Sequence, residues 1–131
     1  MKNEIKIGEK SVTLIANALT PFAYTEIFKK DFLRVLMSFR TLQDKDPNDY
    51  TEDDLALIMS RSTAFAEIAF VMAMQGEGKT AAQLVNYGRA DFLEWLAQFE
   101  NSNAFISGEG LAGVLATWQG QAVGSIESKN A

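Results

Sequence analysis

The sequence predicts a helix-dominated α+β fold, in which a small N-terminal β-hairpin precedes a compact bundle of about five helices. Short apolar–polar alternation marks the first 15 residues, and apolar residues at helical spacing follow. A lone two-stranded hairpin is marginal in water, so it must pack on the helices or on another chain. We expect one domain over residues 1–119 and a flexible polar tail over residues 120–131.

The hairpin is predicted from two alternating segments. Their apolar side chains are Ile5, Ile7, Val12 and Leu14. A four-residue loop over Gly8–Ser11 would place Ile7 opposite Val12, whereas a two-residue Gly8–Glu9 turn is the alternative and keeps the same parity. All four apolar side chains share one face in either case, as register requires when that face is buried.

Two helix starts follow the hairpin. Thr20 and Pro21 predict the first, because a threonine hydroxyl caps free amides and proline at the first helical position loses no hydrogen bond. Asp31 is the candidate cap of a second helix with an apolar stripe. The polar stretch from Gln43 to Tyr50, which contains Pro47, predicts a loop.

The longest helix is predicted to begin at Thr51–Asp54, where carboxylates complement the helix dipole. From Ala64 to Met74 it is apolar on almost every side except at Glu67, and Gly76 and Gly78 end it. A helix that is hydrophobic all round is surrounded by other elements. We therefore expect this helix to be the centre of the core.

Three weaker helices are predicted towards the C-terminus. Thr80–Gln83 matches a reciprocal capping pattern, and an amphipathic segment follows over Phe92–Phe99. A last helix carries Phe105, Leu111, Leu115 and Trp118. Interior glycines interrupt it at a cost of about 1 kcal/mol each, so it should fray unless it is packed.

Composition excludes several functional classes. The chain has no cysteine and no histidine, which removes disulfides, thiolate catalysis, the commonest general base and the commonest metal ligand. A net charge of −5 argues against a nucleic-acid groove binder. The segment from Ala64 to Met74 is too short to cross a membrane. We expect no catalytic, cofactor or metal site, although a carboxylate enzyme built around Glu67 stays open as an alternative.

Two motifs imitate ligand sites. Gly78-Lys79-Thr80 resembles the end of a phosphate-binding loop, but the required earlier glycine is Ala73. A calcium-loop-like acidic run begins at Asp44, but Leu55 stands where the closing glutamate is needed. The end of one helix followed by the cap of the next explains the first motif better. A solvated acidic loop explains the second motif better.

Four segments in this order resemble one known family. They are Thr20–Phe28 with Lys30–Leu33 after the strand pair, Phe70–Gln75, Phe92–Glu100, and Leu115–Trp118 before a polar tail. The chain resembles the short form of the tail assembly chaperones of long-tailed phages and prophages of Gram-positive bacteria. The glycine-rich stretch from Ser107 to Gly113 departs from the usual pattern of that family.

This resemblance implies a non-enzymatic factor of the host bacterial cytoplasm that is absent from the mature virion. Such proteins keep the tape measure protein soluble and recruit tail tube subunits. We expect the tape measure protein and the tail tube protein as partners, and neither nucleic acid nor a membrane. Formation of homo-oligomers is a further hypothesis. The main alternative is a small adaptor or regulatory protein that binds another phage or bacterial protein.

Partner-binding residues are predicted on the two elements that are least stable alone. The candidates are Phe105, Leu111, Leu115 and Trp118 on the last helix and Ile5, Ile7, Val12 and Leu14 on the hairpin. They are apolar, and shielding a helical client requires apolar anchors. The alternative, left open here, is that these side chains only complete the core of the monomer.

Overall fold

The computed structural model describes residues 2–38, 45–100, 104–105 and 110–120. An antiparallel two-stranded hairpin precedes six α-helices and one short 3-10 turn in these ranges, so the predicted helix-dominated α+β class is confirmed. The number of helices slightly exceeds the five predicted. The predicted tail lies outside the described residues except for Gly120, which is helical.

The hairpin pairs β1 (Lys2–Ile7) with β2 (Lys10–Ile15) through the two-residue turn, the second of the two connections considered. Gly8 has φ 62°, which suits a type II′ turn with glycine at its first central position. The register opposes Ile5 with Val12 and Ile7 with Lys10. The predicted shared face is confirmed, because both turn lengths preserve the parity of the strands.

The helices follow in the predicted order. Their bounds are α1 Leu19–Phe28, α2 Phe32–Ser38, the 3-10 turn Pro47–Asp49, α3 Glu52–Gly76, α4 Ala81–Leu84, α5 Arg89–Leu96 and α6 over residues 110–120. A capping box joins Thr80 to Gln83 at α4, as predicted, and α3 begins after Thr51, where a second capping box joins Thr51 to Asp54. Asp31 Oδ1 accepts from the backbone N–H of Leu33 and caps α2.

The start of α1 differs from the prediction in its details. The helix begins at Leu19, one residue before Thr20, so Pro21 is its third residue. The N–H of Leu19 is satisfied by the side chain of Asn17 (3.0 Å). Thr20 is buried and its hydroxyl donates to Gln75 Oε1 on α3, because a long-range partner was available that a local capping pattern does not include.

Helix α3 is the centre of the core, as its all-round apolar stretch predicted. Every residue from Ala64 to Gln75 is buried. The Phe70 ring makes edge contacts with Phe28, Phe92 and Trp95 at centroid distances of 5.6–6.2 Å. Aromatic pairs of this geometry add roughly 0.5–1.5 kcal/mol each beyond the burial of their area. They join α1 and α5 across α3.

Glycines bring the hairpin close to the helices. Gly76 at the end of α3 lies against the carbonyl of Thr13, and a Cβ on Gly113 of α6 would lie only 2.6 Å from Ile5 Cγ2. Gly110 similarly lies against Ala104 and Ile7. Gly110 and Gly113, two of the glycines that predicted a fraying last helix, are therefore positions where that helix packs. The third, Gly108, lies outside the described residues.

Candidate functional site

The eight predicted partner-binding side chains all belong to or pack against one core. Leu14 and Phe105 are buried, with 0% and 1% of their surface exposed. The other six are partly buried and are Ile5, Ile7, Val12, Leu111, Leu115 and Trp118. Leu14 and Phe105 offer no surface to a partner in this structure, because hairpin and helices close over them. Binding through the other six stays a prediction.

The two predicted surfaces contact each other. Ile5 packs on Gly113, Ile7 lies beside Gly110, and Asn3 donates to the Thr117 hydroxyl at 3.2 Å. The inner face of the hairpin therefore covers one side of α6. This contact favours the alternative in which the hairpin residues complete the monomer core.

The partly exposed flank of α6 lies next to α2. Leu111, Leu115 and Trp118 share this flank by helical spacing, and the Trp118 ring meets the Phe32 ring at 4.8 Å. On α2, Phe32 and Val35 are buried, whereas Leu33 and Met37 are 58% and 66% exposed. Residues four apart in a helix are neighbours on its surface. Exposed leucine and methionine thus form a pair one turn apart.

We use the name α2–α6 surface for four apolar residues of these two helices, the exposed Leu33 and Met37 of α2 and the partly buried Leu115 and Trp118 of α6. Sequence reasoning named the α6 residues but not Leu33 and Met37, because it followed the buried stripe of α2. The available signal was apolar residues four apart on the opposite side of that stripe. Because α2 is apolar on both sides, the face that does not pack in the core is available for contact with another molecule.

Four other large apolar side chains are exposed among the described residues, each on or beside a different helix. They are Phe22, Leu55, Val85 and Leu93. Scattered single exposures are normal for a globular protein. They do not form an i, i+4 pair such as that of Leu33 and Met37.

A second polar feature surrounds Glu67, which is fully buried in the middle of α3. Its Oε1 accepts from the Lys30 ammonium (2.9 Å) and from the Tyr24 hydroxyl (3.2 Å), and its Oε2 lies 3.5 Å from Arg89 Nη1. Both cations keep about half of their side chains in solvent. Glu67 is therefore paired with two cations. Through them it links the α1–α2 corner and the start of α5 to the core helix.

The part of the chain that the structure describes shows neither a metal site nor a membrane-spanning helix. Within the described ranges, no group of three or more Asp or Glu residues could hold a metal ion, and Asp44 of the calcium-like run lies outside those ranges. No helix in the same ranges is long and apolar enough to cross a membrane. Among the described residues, the α2–α6 surface is the main candidate for binding because Leu33 and Met37 expose apolar side chains there.

Comparisons with protein-family models, with curated proteins and with solved structures gave no match to this chain.

Proposed function

We propose that this chain is a phage or prophage tail assembly chaperone that binds the tape measure protein and keeps it soluble before assembly. The proposal starts from the resemblance carried by the segments Thr20–Phe28, Phe70–Gln75 and Phe92–Glu100. The observation that carries it furthest is the exposed pair of Leu33 and Met37 on α2, the helix whose buried Phe32 contacts Trp118. An apolar surface on a small protein is the feature that a shielding factor requires.

An unassembled helical client exposes apolar surface to water. A long amphipathic helix presents apolar residues one turn apart, and such stripes drive aggregation in water. Groove-binding proteins cover them with apolar side chains on facing helices. Leu33 and Met37 on α2, with Leu115 and Trp118 on α6, supply side chains of this type from two neighbouring helices. Methionine suits a client of varied sequence because its side chain adapts to irregular surfaces.

The same proposal includes the wider role of such factors. The protein would act in the host bacterial cytoplasm, recruit tail tube subunits to the covered client, and be absent from the mature virion. Self-association would let several copies cover one long client. It would perform no catalysis: within the part of the chain that the structure describes, the buried carboxylate is that of Glu67, and it is engaged by Lys30, Arg89 and Tyr24.

The second candidate function is a small adaptor that binds another phage or bacterial protein. It draws on the same α2–α6 surface, because an apolar patch does not name its partner. The two functions differ in what they do to an aggregation-prone client: a chaperone changes the client's solubility, whereas an adaptor does not.

Co-expression separates these functions. The tape measure protein encoded by the same phage or prophage is expressed alone and together with this chain, and its soluble fraction is measured after centrifugation. The proposal expects the client to be soluble only with this chain and to elute with it as a complex. An insoluble client in both cases would contradict the chaperone role, and a complex with a different tail protein would support the adaptor.

The position of the gene gives an independent check. A tail tube gene just upstream and a very long tape measure gene downstream are expected. A neighbourhood without tail genes would contradict the proposal.

A further inference from the structure

A cleft runs along β2 on the side away from β1. Its volume is about 410 Å³, and it is lined by the four consecutive residues Lys10–Thr13, by Gly76 and Glu77 at the end of α3, and by Trp95 and Gln98. A second hollow of about 710 Å³ continues from it around the hairpin turn and shares Lys10 and Gln98 with it. Neither hollow shares a residue with the α2–α6 surface.

The backbone of β2 has open hydrogen-bonding groups towards this cleft. Ile7 and Lys10 flank a two-residue turn and so form a hydrogen-bonded pair, which places the N–H and C=O of Ser11 and Thr13 on the outer edge. The Thr13 carbonyl packs against Gly76, which closes one end. The outward groups of Ser11 make no hydrogen bond within the described residues. Such an edge is a template for another strand.

The side chains around the edge define what would bind. The partly buried Trp95 lines the cleft and offers an apolar contact to one side chain of an added strand. Three carboxylates, those of Glu9, Glu77 and Glu100, line the two hollows together with one ammonium, that of Lys10. The excess of negative charge favours a positively charged occupant.

We propose that this cleft binds an extended, lysine- or arginine-bearing segment of a partner polypeptide, which adds to the hairpin as a third strand beside β2. Backbone pairing at Ser11 supplies affinity, Trp95 contacts one apolar side chain, and the carboxylates select basic side chains at the flanking positions. This site goes beyond the proposed function, because the cleft lies apart from the surface proposed for the client.

Calorimetry with short synthetic peptides tests the proposal on the whole chain. The probe is a peptide of threonine, lysine, valine, lysine and threonine, blocked at both ends; its matched controls are the same peptide with glutamate in place of lysine and a fully N-methylated copy. We expect the lysine peptide to bind and the two control peptides not to bind. In a Trp118→Phe variant, Trp95 is the remaining tryptophan of the two, so its fluorescence should change with the same dependence on peptide concentration.

Two variants test the contacts. Ser11→Pro removes an outward N–H without removing a bond of the β1–β2 ladder, and should weaken binding by at least about threefold, the effect of one lost hydrogen bond. The control is Lys6→Pro. Lys6 is paired with Ser11 but has its free N–H on the outer edge of β1, so this variant should bind the lysine peptide normally. Glu77→Gln with Glu100→Gln should weaken binding by roughly threefold, and more salt should mimic this change.

Several results would overturn the proposal. The first is that the lysine peptide gives neither heat nor a change in Trp95 fluorescence. The others are that the glutamate peptide or the N-methylated peptide binds as strongly as the lysine peptide. Should Ser11→Pro fail to fold, as judged by circular dichroism, the N-methylated peptide still decides whether the backbone pairs. None of these outcomes depends on whether the tape measure protein binds, so the two proposals fail separately.

Discussion

Ile5 of the hairpin packs directly on Gly113 of α6, with its Cγ2 2.6 Å from where a Cβ on that glycine would be. The first strand and the last helix therefore meet at a place with no room for a side chain. Two elements that are weak alone, a two-stranded hairpin and a glycine-containing helix, stabilise each other through this contact.

Gly113→Ala should destabilise the protein although alanine is the better helix former. Propensity alone would stabilise the helix by about 1 kcal/mol, whereas overpacking against Ile5 costs about 1–3 kcal/mol. The difference between these two effects is a net loss of up to about 2 kcal/mol in the free energy of unfolding, measured in urea. Ala112→Gly at the exposed neighbouring position is the control and should lose about 1 kcal/mol through propensity. A more stable Gly113→Ala protein would show that this contact is not close.

The ion cluster of α3 predicts a strong effect from removing both cations. Lys30→Met with Arg89→Met leaves Glu67 buried beside the Tyr24 hydroxyl alone, and should cost about 2–4 kcal/mol of unfolding free energy. The value is below that of a fully buried pair because both cations are half exposed. Adding Glu67→Gln removes the charge and keeps an acceptor for Tyr24, so the triple variant should recover most of the loss. A triple variant no more stable than the double would contradict this account.

The buried hydroxyl of Thr20 predicts a clear difference between two small substitutions. It donates to Gln75 Oε1 and accepts from the N–H of Asn17 at 3.0 Å. Thr20→Val keeps the shape but leaves both partners unsatisfied, which should cost about 1–3 kcal/mol in urea unfolding. Thr20→Ser keeps the hydroxyl and should cost less, through one lost methyl group. Equal stability of Thr20→Val and the wild type would mean that water replaces the hydroxyl.

Asp54 predicts one source of pH dependence. The Lys45 ammonium donates a hydrogen bond to Asp54 Oδ2 (2.9 Å), and with the Thr51 N–H it lowers the pKa of this carboxyl below 3.8. A lowered folded-state pKa contributes stability that is present above about pH 4 and is lost as the pH falls through that pKa.

Lys45→Met should therefore lower the melting temperature at pH 7, and its difference from the wild type should shrink as the pH falls through the folded-state pKa of Asp54. Lys6→Met, an exposed lysine of β1, is the control for the change in net charge. Titration of the Asp54 carboxyl by NMR measures the pKa directly. An unchanged Asp54 pKa in Lys45→Met would contradict the assigned cause.

The sequence predicts local features of this fold well. The parity of Ile5 and Val12, the capping box at Thr80 and the all-apolar stretch of α3 are each set by residues within a few positions of one another. Thr20 was misassigned because its hydroxyl bonds to Gln75, which is distant in sequence. Gly113 was interpreted as a weakness because its contact with Ile5 is likewise long-range.

The candidate site shows the same limit. Trp118 was predicted as a binding residue from its apolar pattern, and the pattern could not indicate that its ring would pack on Phe32. Leu33 and Met37 were not singled out, because only the tertiary structure decides which side of an apolar helix is left in solvent. Periodicity identifies apolar faces, whereas packing decides which of them remain open.

The most direct test of the central claim is the soluble fraction of the tape measure protein co-expressed with a Leu33→Glu, Met37→Glu variant. Both side chains are more than half exposed, so the fold should survive, as circular dichroism and urea unfolding can verify. Leu93→Glu, an exposed leucine on α5, is the control. The account predicts an insoluble client with the α2 variant and a soluble client with the wild type and with Leu93→Glu. A client kept fully soluble by the folded α2 variant would contradict it.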